Sequence, residues 1–129
     1  MDHTSRGTVR LTVAQAIVTY LSRQYSVADG RRRRLIPAAL GIFGHGNVAG
    51  LGQALDQLSS ELPFIQGRDE QALVHMASGY AKATRRHATL AVTASIGPGA
   101  MNLVTGAAVA TVNRLPVLLT RNDGFSASS

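Results

Sequence analysis

The sequence contains no cysteine and no tryptophan, and phenylalanine and tyrosine occur only three times each. Without cysteine, disulfide bonds and thiolate metal sites are excluded. No apolar run reaches the length of a membrane span, and the first ten residues, MDHTSRGTVR, lack the pattern of a signal peptide. We therefore expect a cytoplasmic location and no membrane partner. Hydrophobic residues make up 45% of the 129 residues, which is enough for the core of one domain and too little for two.

Acidic residues are scarce relative to basic ones: there are 7 Asp and Glu residues and 13 Lys and Arg residues, for a formal net charge of +6. Part of the positive charge lies in the arginine run Arg31–Arg34. A basic run can contact nucleic acid or an acidic lipid surface, but this one has no interleaved aromatic residues. We therefore interpret the run as a solvated loop and expect no nucleic-acid partner.

Short apolar segments alternate with segments of helical spacing along most of the chain. Apolar residues spaced by three or four predict a helix at 12–24, and an Arg-rich connector follows it to complete an N-terminal region, 1–34. From residue 35 the pattern is strand, helix, strand, helix, strand, helix, strand. It predicts an α/β fold, a parallel sheet with helices on both faces. Because the pattern stops after a strand at 115–120, we interpret 35–129 as one domain that is incomplete at its C-terminal end.

Three glycine-bearing loops follow predicted strands, at 44–47, 67–70 and 95–99. In a parallel sheet such loops share the edge formed by the carboxyl ends of the strands, where ligands bind. The first loop contains G-x-G-x-x-A, and Glu70 follows about 20 residues later, as in dinucleotide-binding proteins. A dinucleotide-binding module is therefore one alternative. Glu70, however, leads directly into a predicted helix, which places its carboxylate near the positive end of the helix dipole.

The second and third loops together carry motifs that resemble the pyrimidine-binding domain of thiamine diphosphate enzymes. The set consists of Glu70–Gln71, His75, Gly79–Tyr80–Ala81, Gly97–Pro98–Gly99, Asn102, Gly106 and Leu115–Pro116–Val117. The motifs are specific as a set, although any one of them alone would be weak. The resemblance covers residues 35 to 120, and it implies a thiamine diphosphate enzyme.

In the family that this chain resembles, a glutamate hydrogen-bonds a ring nitrogen of the cofactor's pyrimidine, and Glu70 matches its position. The resemblance implies that Glu70 is catalytic and cofactor-binding, and that Ser95, Pro98 and Asn102 line the pyrimidine. Burial of the site would favour the protonated form of Glu70, whereas the helix dipole would favour the carboxylate. The sequence does not show which of the two effects is larger. The resemblance further implies Mg2+ held by a domain not present in this chain, and a homodimer or larger assembly. We expect this chain alone to be inactive.

Three stretches look most like the hydrolases within that family that open a trihydroxycyclohexane-1,2-dione ring in inositol breakdown. They are FGHGNVAGLGQAL, LPFIQGRDEQ and SIGPGAMNLVTGAAVATVNRLPVLL. This resemblance implies cleavage of a ring carbon–carbon bond to give 5-deoxyglucuronate. His45 and Asn47 lie where decarboxylases and synthases of the family carry a different motif, so we expect both to be on the substrate side. A 2-oxo acid decarboxylase or an acetolactate-type synthase stays open as an alternative.

The histidines do not predict a metal site, because no pair of His and carboxylate residues has the spacing of metal ligands. His75 lies within an apolar helical pattern, and we expect it to be packed and hydrogen-bonded there. We expect His3 and His87 to be surface residues.

Overall fold

The structure, a computed structural model, describes residues 7–121 with the exception of the His45 side chain. Its helices are α1 (Val13–Ser22), α2 (His45–Asn47), α3 (Gln53–Gln57), α4 (Glu70–Ala83) and α5 (Pro98–Val112), and a π-helical turn (Val48–Gly52) joins α2 to α3. Its strands are β1 (Tyr25–Ala28), β2 (Arg31–Arg34), β3 (Ala39–Gly41), β4 (Phe64–Gln66), β5 (Ala91–Ala94) and β6 (Leu118–Arg121). From β3 onward, strands and helices alternate as the sequence predicts.

Strands β3 to β6 form one parallel sheet in the order β4-β3-β5-β6. Ala39 of β3 aligns with Phe64 on one side and with Ala91 on the other, and Ala91 in turn aligns with Leu118 of β6. Because all four strands run in the same direction, their carboxyl ends share one edge of the sheet. The predicted α/β fold with a parallel sheet is confirmed.

Two apolar clusters cover the two faces of this sheet. Ala39 and Ala91 belong to the cluster beneath α1 and α3, whereas their chain neighbours Leu40 and Val92 belong to the cluster beneath α4 and α5. Successive residues of a strand point to opposite faces, so the two central strands contribute to both clusters. The first cluster consists of Val18, Ile36, Ala39, Ala54, Leu55, Leu62 and Ala91, and the second of Leu40, Leu73, Val74, Ala77, Val92, Ala94 and Leu103. Helices therefore cover both faces, as predicted.

Helix α1 begins with a capping box and packs on the same core as the sheet. Thr12 Oγ1 accepts from the backbone N–H of Gln15 at 3.1 Å, and Gln15 Oε1 accepts from the backbone N–H of Thr12 at 3.0 Å. This pair satisfies two N–H groups that lack partners within the helix. Gln15 also donates to Gln57 Oε1 of α3 at 2.9 Å, and Val18 lies in the first apolar cluster. The division into 1–34 and 35–129 stays a prediction.

The arginine run forms a strand, so the prediction of a loop is wrong, whereas the expected solvent exposure is confirmed for Arg31, Arg32 and Arg33. β1 and β2 pair antiparallel, with Tyr25 opposite Arg34. The two residues between the strands, Asp29 and Gly30, have left-handed φ angles of 51° and 71°. Such a turn matches the twist of a two-stranded hairpin, and Asp-Gly is a strong signal for it. The hairpin forms because the turn residues favour it, and an exposed strand tolerates the arginines.

Helices α4 and α5 approach each other closely at Gly106. A Cβ added at Gly106 would lie 2.6 Å from Val74 Cβ and 3.4 Å from the backbone oxygen of Gln71. Only glycine permits this separation of the two helices without a shift of one of them. In the part of the chain that the structure describes, no helix has the length and apolar character needed to cross a membrane.

Candidate functional site

The carboxyl edge of the sheet brings the three glycine-bearing loops together. The loop after β3 leads into α2, the loop after β4 leads into α4, and the loop after β5 leads into α5. Since β3 lies between β4 and β5, its loop borders both of the others. This edge has the layout that the sequence predicts for a ligand site.

Glu70 is the first residue of α4, and its half-buried carboxylate is held by α5. Asn102 Nδ2 donates to Glu70 Oε2 at 2.9 Å and to Asp69 Oδ2 at 3.1 Å, so one amide holds two adjacent carboxylates. A Cβ added at Gly99 would lie 3.0 Å from Glu70 Oε1. The absence of a side chain at Gly99 therefore leaves the space beside this oxygen open to a ligand atom.

The Gly-Pro-Gly motif shapes the turn that precedes and begins α5. Gly97 caps the helix with a φ of 63°, a left-handed conformation that favours glycine. Pro98 is exposed at the first helical position. A backbone N–H at this position would have no partner within the helix, so proline is tolerated there. Gly99 brings Ser95 close, because a Cβ added at Gly99 would lie 3.4 Å from Ser95 Cβ. The structure therefore groups Ser95, Gly99 and Glu70, while Pro98 shapes the turn beside them.

The first and third loops contact each other through Asn47 and Gly44. Asn47 is buried, and its Nδ2 donates to Ala94 O at 3.1 Å and to Thr93 Oγ1 at 3.3 Å. A Cβ added at Gly44 would overlap the side chain of Ser95, so glycine is required for this approach. Sequence reasoning missed this role of Asn47 because its partners lie 46 and 47 residues further along the chain.

A cavity of about 710 Å³ opens beside the loop after β3. Its walls come from α1, the π-helical turn, α3 and the ends of β5 and β6. Asn47 lines this cavity, whereas Glu70 and Asn102 do not. The predicted site residues thus fall into two groups, one held between α4 and α5 and one beside the cavity. Gln53 and Thr93 also line the cavity, and sequence reasoning assigned neither to a site because their proximity depends on how α3 packs on the sheet.

Among residues 7–121, no three His, Cys, Asp or Glu residues lie together as potential metal ligands. His75 is hydrogen-bonded as predicted, with its Nε2 3.2 Å from Gln71 Nε2. The prediction that it is packed is wrong, because its side chain is exposed. His87 is half-buried, not fully at the surface. His3 and the side chain of His45 lie outside the described part of the chain.

Asp69 caps α4 and links the stability of the chain to pH. The backbone N–H of Ala72 donates to Asp69 Oδ1 at 2.7 Å. This hydrogen bond, followed by that from Asn102, lowers the pKa of Asp69 from its usual value of 3.8. A lowered pKa gives stabilisation that is fully present above pH 3.8 and is lost as the pH falls through the lowered pKa.

We therefore expect Asp69→Asn to reduce the loss of stability on acidification. Asparagine keeps the helix cap but does not titrate, so thermal unfolding midpoints recorded between about pH 2 and pH 6 should vary less than in the wild type. An acid profile identical to that of the wild type would contradict this role of Asp69.

Comparison with known proteins identifies the family of this chain. Residues 38–123 match the family model described as thiamine pyrophosphate enzyme, N-terminal TPP binding domain. A 3D-(3,5/4)-trihydroxycyclohexane-1,2-dione hydrolase of Geobacillus thermodenitrificans is 50% identical over 120 residues, which are 93% of this chain and 19% of that protein. A protein of the same name from Bacillus thuringiensis is 47% identical over 119 residues, 92% of this chain and 18% of that protein.

The chain thus spans about a fifth of the length of the curated relatives it matches. The family model covers well over half of the chain, and the resemblance carried by the motifs is confirmed at the level of the family. The chain belongs to the thiamine pyrophosphate enzymes, whose N-terminal, TPP-binding domain it matches over residues 38–123.

Proposed function

We propose that the protein carrying this chain is a thiamine diphosphate-dependent hydrolase that opens the ring of a trihydroxycyclohexane-1,2-dione. The observation that supports this most is the identity of 50% and 47%, along nearly the whole chain, to two proteins of that name. The proposed reaction cleaves a ring carbon–carbon bond, takes up water and gives 5-deoxyglucuronate, a step of inositol breakdown. A cytoplasmic location and the lack of nucleic-acid and membrane partners stay predictions.

The residues at the carboxyl edge fit the pyrimidine end of the cofactor. A ring nitrogen that shares a proton needs a carboxyl group, and Glu70 offers one whose Oε1 borders the side-chain-free Gly99. Asn102 holds the other oxygen, Oε2. We propose that Glu70, Ser95, Pro98 and Asn102 hold the pyrimidine, and that Glu70 is the catalytic residue among them.

When bound, thiamine diphosphate supplies a carbon nucleophile that adds to a carbonyl group and stabilises the negative charge left by carbon–carbon cleavage. The proposed task of Glu70 is to hold a proton between its carboxyl group and the pyrimidine nitrogen. Asn102 restricts the rotation of that carboxyl group by donating to Oε2, so that Oε1 stays on the side of Gly99.

We also propose that Mg2+ is required and is bound by a domain outside this chain. The support is the family to which the chain belongs, because the cofactor carries a diphosphate, and phosphate oxygens are ligands that Mg2+ binds in proteins. Turnover should therefore disappear when Mg2+ is removed from the complete protein by a chelator.

The test of the proposed function is turnover by the complete protein supplied with thiamine diphosphate and Mg2+. A hydrolase should convert the cyclic dione to an open-chain acid without releasing carbon dioxide. A 2-oxo acid decarboxylase would instead release carbon dioxide from pyruvate, and an acetolactate-type synthase would also join two pyruvate molecules. Activity on pyruvate together with no turnover of the dione would contradict the proposal.

His45 and Asn47 are proposed to lie on the substrate side, because their loop follows β3 and borders the cavity. We expect His45→Ala to lower turnover of the dione by about tenfold or more, the typical effect of losing a hydrogen bond to a charged or reacting group. Affinity for thiamine diphosphate should change much less, as measured by titration of the cofactor. Asn47→Ala should in addition lower stability, because Asn47 holds the loop on β5. A collapse of cofactor affinity in His45→Ala would assign this loop to the cofactor instead.

The outer surface of α4 and α5 supports the proposed homodimer or larger assembly. Met76 of α4 is 54% exposed, and Met101, Val104 and Val112 of α5 are 68%, 54% and 82% exposed. Exposed apolar patches on a soluble domain typically mark interaction surfaces. We propose that this surface is covered by another part of the assembly.

We expect Val104→Glu to shift the complete protein toward smaller species in analytical ultracentrifugation. A carboxylate buried in an interface without a partner costs far more than an exposed one. Val9→Glu is the matched control, because Val9 is 76% exposed and lies outside the helices, and it should keep the wild-type mass. Wild-type mass in both variants would show that this surface is not the interface.

A further inference from the structure

The edge formed by the amino ends of the strands, opposite the candidate site, carries a small basic cavity. Arg33 of β2 and Arg85, which follows α4, line this cavity of about 180 Å³ together with Asp29, Thr84 and His87. No hydrogen bond or ion pair joins the guanidinium group of Arg33 or of Arg85 to any residue in 7–121. Two cationic groups thus border one cavity without a protein partner in the described chain.

The backbone on both sides of Arg85 is anchored. Thr84 Oγ1 donates to Tyr80 O at 2.9 Å, and Arg86 Nε donates to Arg114 O at 3.0 Å. The first contact ties the segment to the end of α4 and the second ties it to the end of α5. These contacts therefore fix the backbone at Arg85 in the cavity wall.

The hairpin that carries Arg33 is anchored to the same segment. Ser26 Oγ donates to His87 O at 2.5 Å, and Ser26 is the residue directly opposite Arg33 in the β1–β2 ladder. Contacts within the fold therefore set the position of Arg33 relative to that of Arg85.

The backbone conformation at Arg85 would suit glycine better than arginine. Arg85 and Arg86 have φ angles of 54° and 65°, in the left-handed region where glycine is usual after a helix. The side chain of Arg86 has a structural contact at the end of α5, whereas that of Arg85 has none in the described chain. A residue held in an unfavourable conformation is a frequent feature of functional sites.

We propose that the cavity binds a small oxyanion, a phosphate or carboxylate group on a compact molecule, between Arg33 and Arg85. The planar guanidinium group matches two oxygens of either group, and two such groups border this cavity. The carboxylate of Asp29 also lines it and provides an acceptor for a hydroxyl group. The preferred ligand therefore carries a hydroxyl group next to its anionic group. This proposal does not depend on the proposed hydrolase function.

The experiment is calorimetric titration of the complete protein with three probes: inorganic phosphate, glycerol phosphate and glycolate. The protein is saturated with thiamine diphosphate and Mg2+, and the ionic strength is held constant because salt screens exposed charges. We expect saturable binding, with Arg33→Gln and Arg85→Gly each weakening it by about tenfold or more. Arg85→Gly relieves the left-handed strain, so loss of folding does not account for its effect.

Arg31→Gln is the matched control, because Arg31 is an exposed arginine on the same strand that does not line the cavity. Arg31→Gln should change the affinity for the probes by less than about twofold, because salt screens the charge of a residue outside the cavity. Binding of both phosphates without glycolate identifies a phosphate site, and the reverse identifies a carboxylate site. Equal losses in Arg31→Gln and Arg33→Gln would overturn the proposal in favour of diffuse attraction. Absence of saturable binding of all three probes would also overturn it.

Discussion

Replacing Glu70 with glutamine is expected to slow exchange of the cofactor's thiazolium C–H with deuterated water by about 10²–10⁴-fold, the usual contribution of general acid–base catalysis. Glutamine has nearly the same size as glutamate and can still accept from Asn102 at the Oε2 position. The fold should therefore survive while the group proposed to share the pyrimidine proton is lost. The measurement is proton exchange followed by nuclear magnetic resonance on the complete protein loaded with thiamine diphosphate.

Asp69→Asn is the matched control for Glu70→Gln. Asp69 is the adjacent carboxylate, and it accepts from the same Asn102 amide at 3.1 Å, so the control makes the same change of charge one residue away. We expect its exchange rate to stay within about threefold of the wild type, because Asp69 is exposed and interactions of exposed charges are weak. Equal rates in the wild type and Glu70→Gln would show that Glu70 is only a charge at the start of α4. If the exchange rate fell equally in the two variants, the combined charge of Asp69 and Glu70 would be responsible, and Glu70 would have no special role.

Gly106→Val is expected to lower the free energy of unfolding by about 1–3 kcal/mol, the usual cost of overpacking a core. The new side chain would begin 2.6 Å from Val74 Cβ, so α5 must move away from α4. A loss of this size is a large fraction of the stability of an ordinary domain, about 5–15 kcal/mol. Urea unfolding of the chain, followed by circular dichroism, measures it.

The control is Gly79→Val on α4, where an added Cβ meets no atom of residues 7–121 within 4 Å. The change of helix propensity is the same in both variants, so their difference isolates the contact between the helices. We expect Gly79→Val to stay within about 0.5 kcal/mol of the wild type, as for most surface substitutions. Equal stability of the two variants would mean that the helices can separate at little cost.

Much of the fold could be predicted because the spacing of apolar residues indicates which helices and strands are buried. The four parallel strands and the helices that follow them were predictable from such patterns, and Asp69 is a recognisable helix cap. The hairpin of β1 and β2 was not predicted, because its only local signal is the turn Asp29–Gly30 beside a run of charges. The π-helical turn at Val48–Gly52 was also missed, since it leaves no distinct periodicity over five residues.

The candidate site was only partly predictable, for a related reason. The roles assigned to Glu70 and Asn102 came from the family resemblance, and the structure adds that the two side chains are in direct contact. The contact of Asn47 with Thr93 and Ala94 depends on the pairing of β3 with β5. Contacts between distant residues of this kind follow from the strand order, which a single sequence does not contain.

The two independent apolar clusters have a consequence for how such an enzyme can evolve. The loop after β3 leads to α3 on one face of the sheet, whereas the loops after β4 and β5 lead to α4 and α5 on the other. Among residues 7–121 the two clusters have no residue in common, although β3 and β5 contribute to both, so a substitution in one cluster leaves the side chains of the other in place. Under the proposed assignment of the β3 side to the substrate and of the α4 and α5 side to the cofactor, a lineage can acquire a new substrate by altering the first side while it keeps the second unchanged.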